Sequence, residues 1–276
     1  MDKLLDEIES YWSTRTEGYS EVNEKELNGM QKRAWLETLE RGFFGKRSGK
    51  NEDSENNSVE KKVFEEEFSE KQHTDKYKDH LRILDIGTGP GFFPMILAEA
   101  GYHVTAIDYT PGMLEKAAEN AAKFIGEKSR NIEFKRMDAQ ALEFEDESFD
   151  VIISRNLTWT LPHVSHAYGE WLRVLKKGGV LLNFDANYGI TDFSNVADLP
   201  ENHAHNILGD DMMRECEEIK RQLPISSYSR PAWDLETLGS MEVKDFRVDL
   251  GISSRIYLEK DEFYNPTPLF MLRTVK

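Results

Sequence analysis

The sequence predicts an α/β protein in which seven strands form a doubly wound, mostly parallel sheet with helices on both faces. From residue 81 onwards, short apolar runs of strand length alternate with amphipathic stretches of helix length. This alternation is typical of parallel sheets built from crossover connections. A glycine-rich turn at residues 87–91 directly follows the first apolar run, and such turns let the backbone come close to a ligand at a strand end.

The N-terminal part of the chain, residues 1–43, is expected to be mainly helical. Apolar residues recur there near helical spacing, at Leu27, Met30, Ala34 and Leu39, which favours amphipathic helices. Residues 45–58 contain no apolar residue and show no period. We therefore expect a mobile surface loop after the N-terminal helices.

Strands and helices then alternate along the chain. Gly101 is expected to end the first of these helices and Pro111 to open the second, since glycine favours helix ends and proline the first helical turn. After residue 186 the chain is rich in turn formers, with one further helical stretch. The predicted strands are 81–86, 103–108, 132–137, 150–154, 180–185, 242–250 and 269–275, and the predicted helices are 92–100, 111–121, 164–175 and 208–223.

These elements divide the chain into three parts. A helical N-terminal cap covers residues 1–44, and a charged insert covers residues 45–80. The main domain covers residues 81–276 and includes a lid insert at 187–232, before the last two strands. A long segment between two strands normally means a lid or a substrate-binding insert.

Composition excludes several classes of function. The 276 residues carry a formal net charge of −16, with 39% hydrophobic and 31% charged residues, as in a globular protein. The acidic balance disfavours nucleic acid and anionic membrane surfaces as partners, because binding to phosphate requires clustered Lys and Arg. No apolar run approaches the roughly 18–20 residues that span a bilayer, and the acidic N-terminus lacks a signal-peptide core. The single cysteine, Cys216, excludes an internal disulfide. We expect a cytoplasmic monomer or homodimer.

The glycine-rich turn and two acids predict a site for a cationic ligand that contains adenosine. The glycines have the spacing G-x-G-x-G, at Gly87, Gly89 and Gly91, rather than the G-x-G-x-x-G of dinucleotide sites. Asp108 follows Gly87 by twenty-one residues, at the end of the second strand, where an acid is well placed to accept hydrogen bonds from ribose hydroxyls. Asp85 would repel a pyrophosphate and suits a positively charged ligand.

Residues 83–91, Ile-Leu-Asp-Ile-Gly-Thr-Gly-Pro-Gly, resemble motif I of the class I SAM-dependent methyltransferases. S-adenosylmethionine (SAM) carries a sulfonium and an ammonium group and no phosphate, and Asp108 matches the ribose-binding acid of that family. The resemblance covers about residues 81–187 well and the last two strands loosely. It implies a Rossmann-like methyltransferase fold, SAM as the cofactor, and methyl transfer to a small-molecule acceptor, as in methyltransferase type 11-like members.

The resemblance also implies roles for individual residues. Asp85 and the glycines line the methionine part of SAM, and Arg155 and Asn156 lie beside it. Asp138 follows the third strand, where an acid commonly accepts a hydrogen bond from the adenine amino group. The implied cofactor residues are Tyr11, Arg15, Tyr19, Asp85, Gly87, Thr88, Gly89, Asp108, Tyr109, Met113, Asp138, Ala139, Arg155 and Asn156.

Residues 11–19 are similar to the N-terminal cap of family members that act on small molecules. Such caps fold over the carboxylate of SAM, often through Tyr or Arg. Arg15 would then pair with that carboxylate through two hydrogen bonds. The alternative is a surface helix with ordinary charges.

The acceptor is expected to bind near the ends of the fourth and fifth strands. Aromatic residues in this region, Trp159 and Tyr188, would pack on a flat or cationic substrate. No catalytic residue is assigned, because methyl transfer requires mainly alignment, and only a protonated acceptor needs a base. The candidates for the acceptor pocket are Asn156, Trp159, His163, Asp185, Asn187 and Tyr188.

No metal site is expected. His163 and His166 are three residues apart at a predicted helix start, where capping or surface placement accounts for them better. His203 and His205 lie near two acids, but alternate residues in a loop do not define a ligand geometry.

Three other functions stay open at the level of sequence. A protein methyltransferase would use the same core, with an acidic lid that attracts a basic partner. A non-catalytic module would bind SAM or a nucleotide without turnover. A nicotinamide-dependent oxidoreductase conflicts with the glycine spacing and with Asp85.

Overall fold

A computed structural model describes residues 3–44, 78–192, 200, 209–258, 263 and 265–276. Most of the predicted charged insert lies outside the described residues. So do His203 and His205, two of the possible metal ligands of the lid insert. No helix in the described ranges combines the length and the apolar character that a membrane span requires.

Seven strands form one sheet, as the sequence predicts, and the fold prediction is confirmed. The strands are β1 (Arg82–Ile86), β2 (His103–Asp108), β3 (Ile132–Arg136), β4 (Phe149–Arg155), β5 (Leu175–Ala186), β6 (Asp245–Asp249) and β7 (Leu269–Val275). Their order across the sheet is β3-β2-β1-β4-β5-β7-β6. The first five are paired in parallel, whereas β7 runs antiparallel to both of its neighbours.

Eight α-helices accompany the sheet within the described residues. They are α1 (Lys3–Asn28), α2 (Gln31–Phe44), α3 (Phe92–Glu99), α4 (Pro111–Ile125), α5 (Val164–Val174), α6 (Asp210–Gln222), α7 (Ala232–Gly239) and α8 (Ile252–Ile256). The sequence did not predict α7 and α8. With eight and five residues, they are too short to give a clear apolar period, and contacts with the rest of the fold stabilise them.

The strand β5 begins earlier than the sequence predicts. It starts at Leu175 rather than at residue 180, and α5 accordingly ends at Val174. The pairing with β4 shifts register at this point, and Gly178 adopts a φ of 80°. The glycines therefore accommodate an irregularity inside one strand instead of a loop between helix and strand.

The core lies on both faces of the central strands. β1, β4 and β5 are largely buried, which explains their continuous apolar sequences. The helix α3 is buried along almost its whole length. Trp35 of α2 is fully buried, and its ring lies 5.1 Å from the rings of both Phe93 and Phe184. The N-terminal helices thus share the core of the sheet.

This arrangement creates a binding edge. The loops after β1, β2, β3 and β4 meet at the carboxyl edge of the sheet, where open α/β sheets bind their ligands. The helix α1 lies across that edge, because its side chains line the same cavities as these loops.

Candidate functional site

The loop after β1 requires glycine for steric reasons. Gly87 and Gly89 have φ values of 71° and 53°, in the left-handed region that favours glycine. A Cβ on Gly87 would lie 2.8 Å from a side-chain carbon of Leu157. The backbone N–H groups of Gly87 and Thr88 both donate to the carbonyl of Ile107 at 2.9 Å. The loop is therefore tied to the end of β2.

Asp108 stands at the end of β2, and two backbone groups fix its carboxylate. Its Oδ2 accepts a hydrogen bond from the N–H of Gly89, and its Oδ1 accepts one from the N–H of Thr110, both at 2.9 Å. Burial raises the pKa of Asp108, and these backbone donors oppose the rise. Carboxylate oxygens can accept further hydrogen bonds, so Asp108 can still receive ligand hydroxyls.

A cleft, here called the strand-end cleft, opens beside Asp108 and the glycine loop. Apolar side chains from the loops make up much of its wall, and the first turns of α1 cover it. Ten of the predicted cofactor residues line it: Tyr19, Gly87, Gly89, Asp108, Tyr109, Met113, Asp138, Ala139, Arg155 and Asn156. Nine further lining residues are not among the predicted cofactor residues: Leu5, Ile8, Glu9, Trp12, Thr110, Met137, Leu157, Thr160 and Leu161.

Asp138, which also lines the cleft, is held by Gln140, two residues further along the chain. Its Oδ1 accepts hydrogen bonds from the backbone N–H and the side-chain amide of Gln140, at 2.8 and 3.2 Å. The carbonyl of Ala139 accepts the indole N–H of Trp171 at 2.8 Å. These bonds fix the backbone and the acid that follow β3.

Asp85 lies in a small recess that adjoins the strand-end cleft. Thr88 and Arg155 line the same recess. Asp85 is almost fully buried, and its Oδ2 has no hydrogen-bond partner among the described residues. Burial raises its pKa to about 7, although the nearby Arg155 opposes this rise. A buried carboxylate oxygen without a hydrogen-bond partner is costly, and it marks a position that suits a cationic ligand group.

A second cavity, here called the aromatic cavity, adjoins the cleft on the side of α6. Its aromatic side chains contact one another: the ring of Trp159 lies 6.3 Å from Trp12 and 5.0 Å from Tyr188. The lining residues are Tyr11, Trp12, Arg15, Gly18, Tyr19, Val22, Asn23, Glu26, Arg155, Asn156, Trp159, Tyr188, Met213, Cys216, Tyr257, Phe263, Asn265, Pro266 and Leu269. Trp12, Tyr19, Arg155 and Asn156 line both the cleft and the aromatic cavity.

Asn156 stands at the junction in a strained conformation. Its φ is 55°, which is uncommon for a residue other than glycine. The hydroxyl of Tyr188 donates to Asn156 Oδ1 at 3.1 Å, and the indole N–H of Trp159 donates to its carbonyl at 2.9 Å. Strain held by surrounding contacts often accompanies functional sites.

Arg155 is paired within the protein. Its Nη2 donates to Glu26 Oε2 at 3.0 Å, and its guanidinium lies 4.6 Å from the ring of Phe92. The hydroxyl of Tyr257 donates to the same carboxylate at 2.9 Å. This network links α1 to the end of β4 and to the segment after α8.

Three of the predicted acceptor residues line neither cavity. Asp185 is fully buried, and its Oδ2 accepts a hydrogen bond from Arg230 Nη1 at 3.1 Å. His163 lines a separate surface groove with His166. Asn187 also lines neither cavity. Successive residues of a strand point to opposite faces, so a position near a strand end does not reveal which way a side chain points.

Comparison with known proteins identifies the domain. Residues 84–183 match the family model described as "Methyltransferase domain". The demethylmenaquinone methyltransferase of Leptospira interrogans is 33% identical over 172 residues, which cover 59% of this chain and 65% of that protein. The arsenite methyltransferase of Halobacterium salinarum is 38% identical over 100 residues, which cover 35% of this chain and 25% of that protein. The chain thus matches less than two thirds of the length of either relative.

A solved structure shares the fold. Phosphoethanolamine N-methyltransferase 2 of Haemonchus contortus, in complex with phosphomonomethylethanolamine and S-adenosylhomocysteine, has a TM-score of 0.50 at 20% identity. The match covers 72% of this chain and 49% of that one, and at this identity it concerns the fold alone. The matched domain and the seven-stranded sheet agree with the resemblance of residues 83–91 to the class I SAM-dependent methyltransferases, and residues 84–183 form a methyltransferase domain.

Proposed function

We propose that this protein transfers a methyl group from SAM to a small-molecule acceptor bound in the aromatic cavity. The observation that carries the proposal is the wall shared by the two cavities, formed by Trp12, Tyr19, Arg155 and Asn156. A donor in the strand-end cleft and an acceptor in the aromatic cavity would be adjacent. Direct transfer between two bound reactants requires this adjacency.

The residues of the cleft fit the chemistry of SAM. Asp108 is fixed by backbone donors and retains acceptor capacity for ribose hydroxyls. The unpartnered Oδ2 of Asp85 suits the ammonium of the methionine part. Met113 and Met137 supply apolar surface for the adenine, and Asp138 supplies an acceptor for its amino group. When bound, SAM supplies a methyl carbon that its sulfonium has already activated.

The chain then contributes alignment and exclusion of water. Trp12 and Tyr19 of α1 cover the junction from one side, and Met213 and Cys216 of α6 line the aromatic cavity from another. Expulsion of water from such a junction strengthens the electrostatic interactions inside it. The cap (1–44) and the lid insert (187–232) would act together as this cover.

No side chain is assigned as a general base. His163 and Asp185 lie elsewhere, and Glu26 is engaged by Arg155 and Tyr257. Burial raises the pKa of Tyr188 above its ordinary value, which keeps its hydroxyl protonated. An acceptor that enters with its reacting atom already deprotonated needs no base.

A small-molecule acceptor is favoured by the enclosure of the aromatic cavity between α1, the strand ends and α6. The names of the two relatives, a demethylmenaquinone and an arsenite methyltransferase, point to the same class of acceptor. Incubation of the purified protein with a cell extract and with SAM labelled in its methyl group tests this class, with the extract alone as the background. Label in the small-molecule fraction supports the proposal. Label in proteins would indicate a protein methyltransferase, and binding without any transfer would indicate a non-catalytic module.

Calorimetry tests the cofactor. SAM and its demethylated product, S-adenosylhomocysteine, should bind to the protein, whereas NAD should not bind measurably. Asp108→Ala should weaken SAM binding at least about tenfold, because hydrogen bonds to a charged group are worth roughly 1.5–3 kcal/mol. Asp146→Ala, which removes an exposed acid, is the matched control and should leave the affinity unchanged. Tighter binding of NAD than of SAM, or an unchanged Kd in folded Asp108→Ala, would contradict the proposal.

A further inference from the structure

The charges on the wall of the aromatic cavity do not balance. Arg15, Arg155 and Glu26 are its only lining residues, within the described part of the chain, with side chains that are ordinarily charged. Arg155 and Glu26 form a close ion pair with 9% and 3% of their side chains exposed, so their charges offset each other. The positive charge of Arg15 is therefore not offset by another described residue of the wall.

Arg15 has no acidic partner among the described residues. Its Nη1 donates to the hydroxyl of Tyr11 at 2.6 Å, and its guanidinium lies 5.6 Å from the Tyr11 ring and 5.8 Å from the Trp12 ring. Its Nε is buried without a hydrogen-bond partner. Burial raises the pKa of both Tyr11 and Cys216, so neither neighbour supplies a negative charge. Within the described ranges, this guanidinium therefore has no counter-ion.

Arg15 faces the aromatic cavity. It lies on the same face of α1 as Gly18 and Val22, which line that cavity, as expected for residues three to four apart. The strand-end cleft is lined by residues roughly two turns nearer the start of α1, Ile8 and Glu9 among them. Arg15 does not line that cleft.

On the basis of the proposed function, we infer that Arg15 binds a carboxylate on the acceptor, and that the acceptor is a flat, apolar carboxylic acid. Trp159 and Tyr188 offer aromatic surface for the flat part, while the guanidinium of Arg15, which lines the same cavity, offers a charge-assisted hydrogen bond. The chain as a whole carries a charge of −16 and repels anions. A local positive charge is therefore needed to admit an anionic acceptor.

Calorimetry with two aromatic probes of nearly equal shape tests this inference. Naphthoate and its neutral amide, naphthamide, are titrated into the wild-type protein with and without S-adenosylhomocysteine, whose sulfur is uncharged. The same titrations use Arg15→Gln, Arg15→Lys and the control Arg33→Gln, an exposed arginine on α2. Thermal unfolding confirms that each variant is folded.

We expect the wild-type protein to bind naphthoate at least about tenfold more tightly than naphthamide, as a charge-assisted hydrogen bond allows. Arg15→Gln should abolish this preference while leaving the affinity for naphthamide and for S-adenosylhomocysteine within about threefold. Arg15→Lys should retain part of the preference, and Arg33→Gln all of it.

Other results overturn the inference. Equal affinity for the two probes, absence of naphthoate binding to the wild-type protein, or a preference that survives in Arg15→Gln would each do so. A loss of affinity for S-adenosylhomocysteine in Arg15→Gln, with the probe preference intact, would assign Arg15 to the carboxylate of the cofactor. The proposed function fails separately, if the wild-type protein binds neither SAM nor S-adenosylhomocysteine.

Discussion

Replacement of Asp85 by asparagine should stabilise the cofactor-free protein while weakening cofactor binding. The carboxyl of Asp85 is almost fully buried, with one unpartnered oxygen. Burial raises its pKa from 3.8 to about 7. Since one pKa unit corresponds to about 1.4 kcal/mol, the ionised carboxylate costs roughly 4 kcal/mol of stability in the folded protein. Asparagine has a similar shape and does not ionise, so Asp85→Asn avoids this cost.

The sign of the pH dependence follows from the raised pKa. Between about pH 4 and pH 7 the native state holds a proton that the unfolded state has already released. The free energy of unfolding contributed by Asp85 therefore falls as the pH rises through this window, and it is level above about pH 7. The wild-type protein and Asp85→Asn are unfolded with denaturant in the absence of cofactor. The free energy of unfolding of the variant should exceed that of the wild type by a margin that grows by roughly 4 kcal/mol between about pH 4 and pH 7. Asp146→Asn, at an exposed acid, is the control and should show no such trend.

Cofactor binding should favour the wild-type protein over Asp85→Asn, the opposite of the expected order of stability. The ammonium of SAM would pair with the ionised carboxylate of Asp85, so the affinity of the wild-type protein for SAM should rise as the pH approaches about 7. Asp85→Asn should bind SAM more weakly, with no corresponding pH dependence. Parallel unfolding profiles for the wild-type protein and Asp85→Asn, or unchanged SAM affinity in the variant, would refute this reasoning.

Two further predictions follow from the contacts around the site. Gly87→Ala should destabilise the protein by more than the roughly 1–2 kcal/mol of a left-handed alanine and weaken SAM binding, because its Cβ would lie 2.8 Å from a leucine side chain. Gly178→Ala, at a φ of 80° with open space around it, should show only the backbone cost and normal SAM binding in calorimetry. Glu26→Ala should lower the free energy of unfolding by about 3–5 kcal/mol, because it leaves Arg155 buried and unpaired. Glu37→Ala breaks an exposed ion pair and should cost less than about 1 kcal/mol; equal losses would contradict the argument.

The backbone of the proposed cofactor site was largely predictable. The residues that matter there occupy strand ends and a tight turn, which leave local marks in the sequence. Gly87 and Gly89 have the positive φ values that their spacing suggests. Asp108 ends β2, a strand whose bounds were predicted without error. A buried strand followed by a glycine turn defines its own geometry over a few residues.

The acceptor side was less predictable. Asp185 was expected near the acceptor, but it pairs with Arg230, forty-five residues further along the chain. Leu5 and Ile8 contribute walls to the strand-end cleft, although nothing in their spacing marks them as ligand contacts. Such assignments depend on how distant segments pack.

Local patterns along this chain were therefore enough to establish the alternating strands and helices, the sheet they form and the cofactor turn. Backbone conformation and apolar burial are set largely by neighbouring residues, and they recur with periods that can be read directly. The orientation of α1 across the carboxyl edge depends on packing between segments far apart in sequence. That packing determines which cavity Arg15 lines, how Arg155 pairs with Glu26, and which residues form the wall that the two cavities share. The proposed chemistry of the acceptor is argued from these long-range contacts, which only the folded molecule shows.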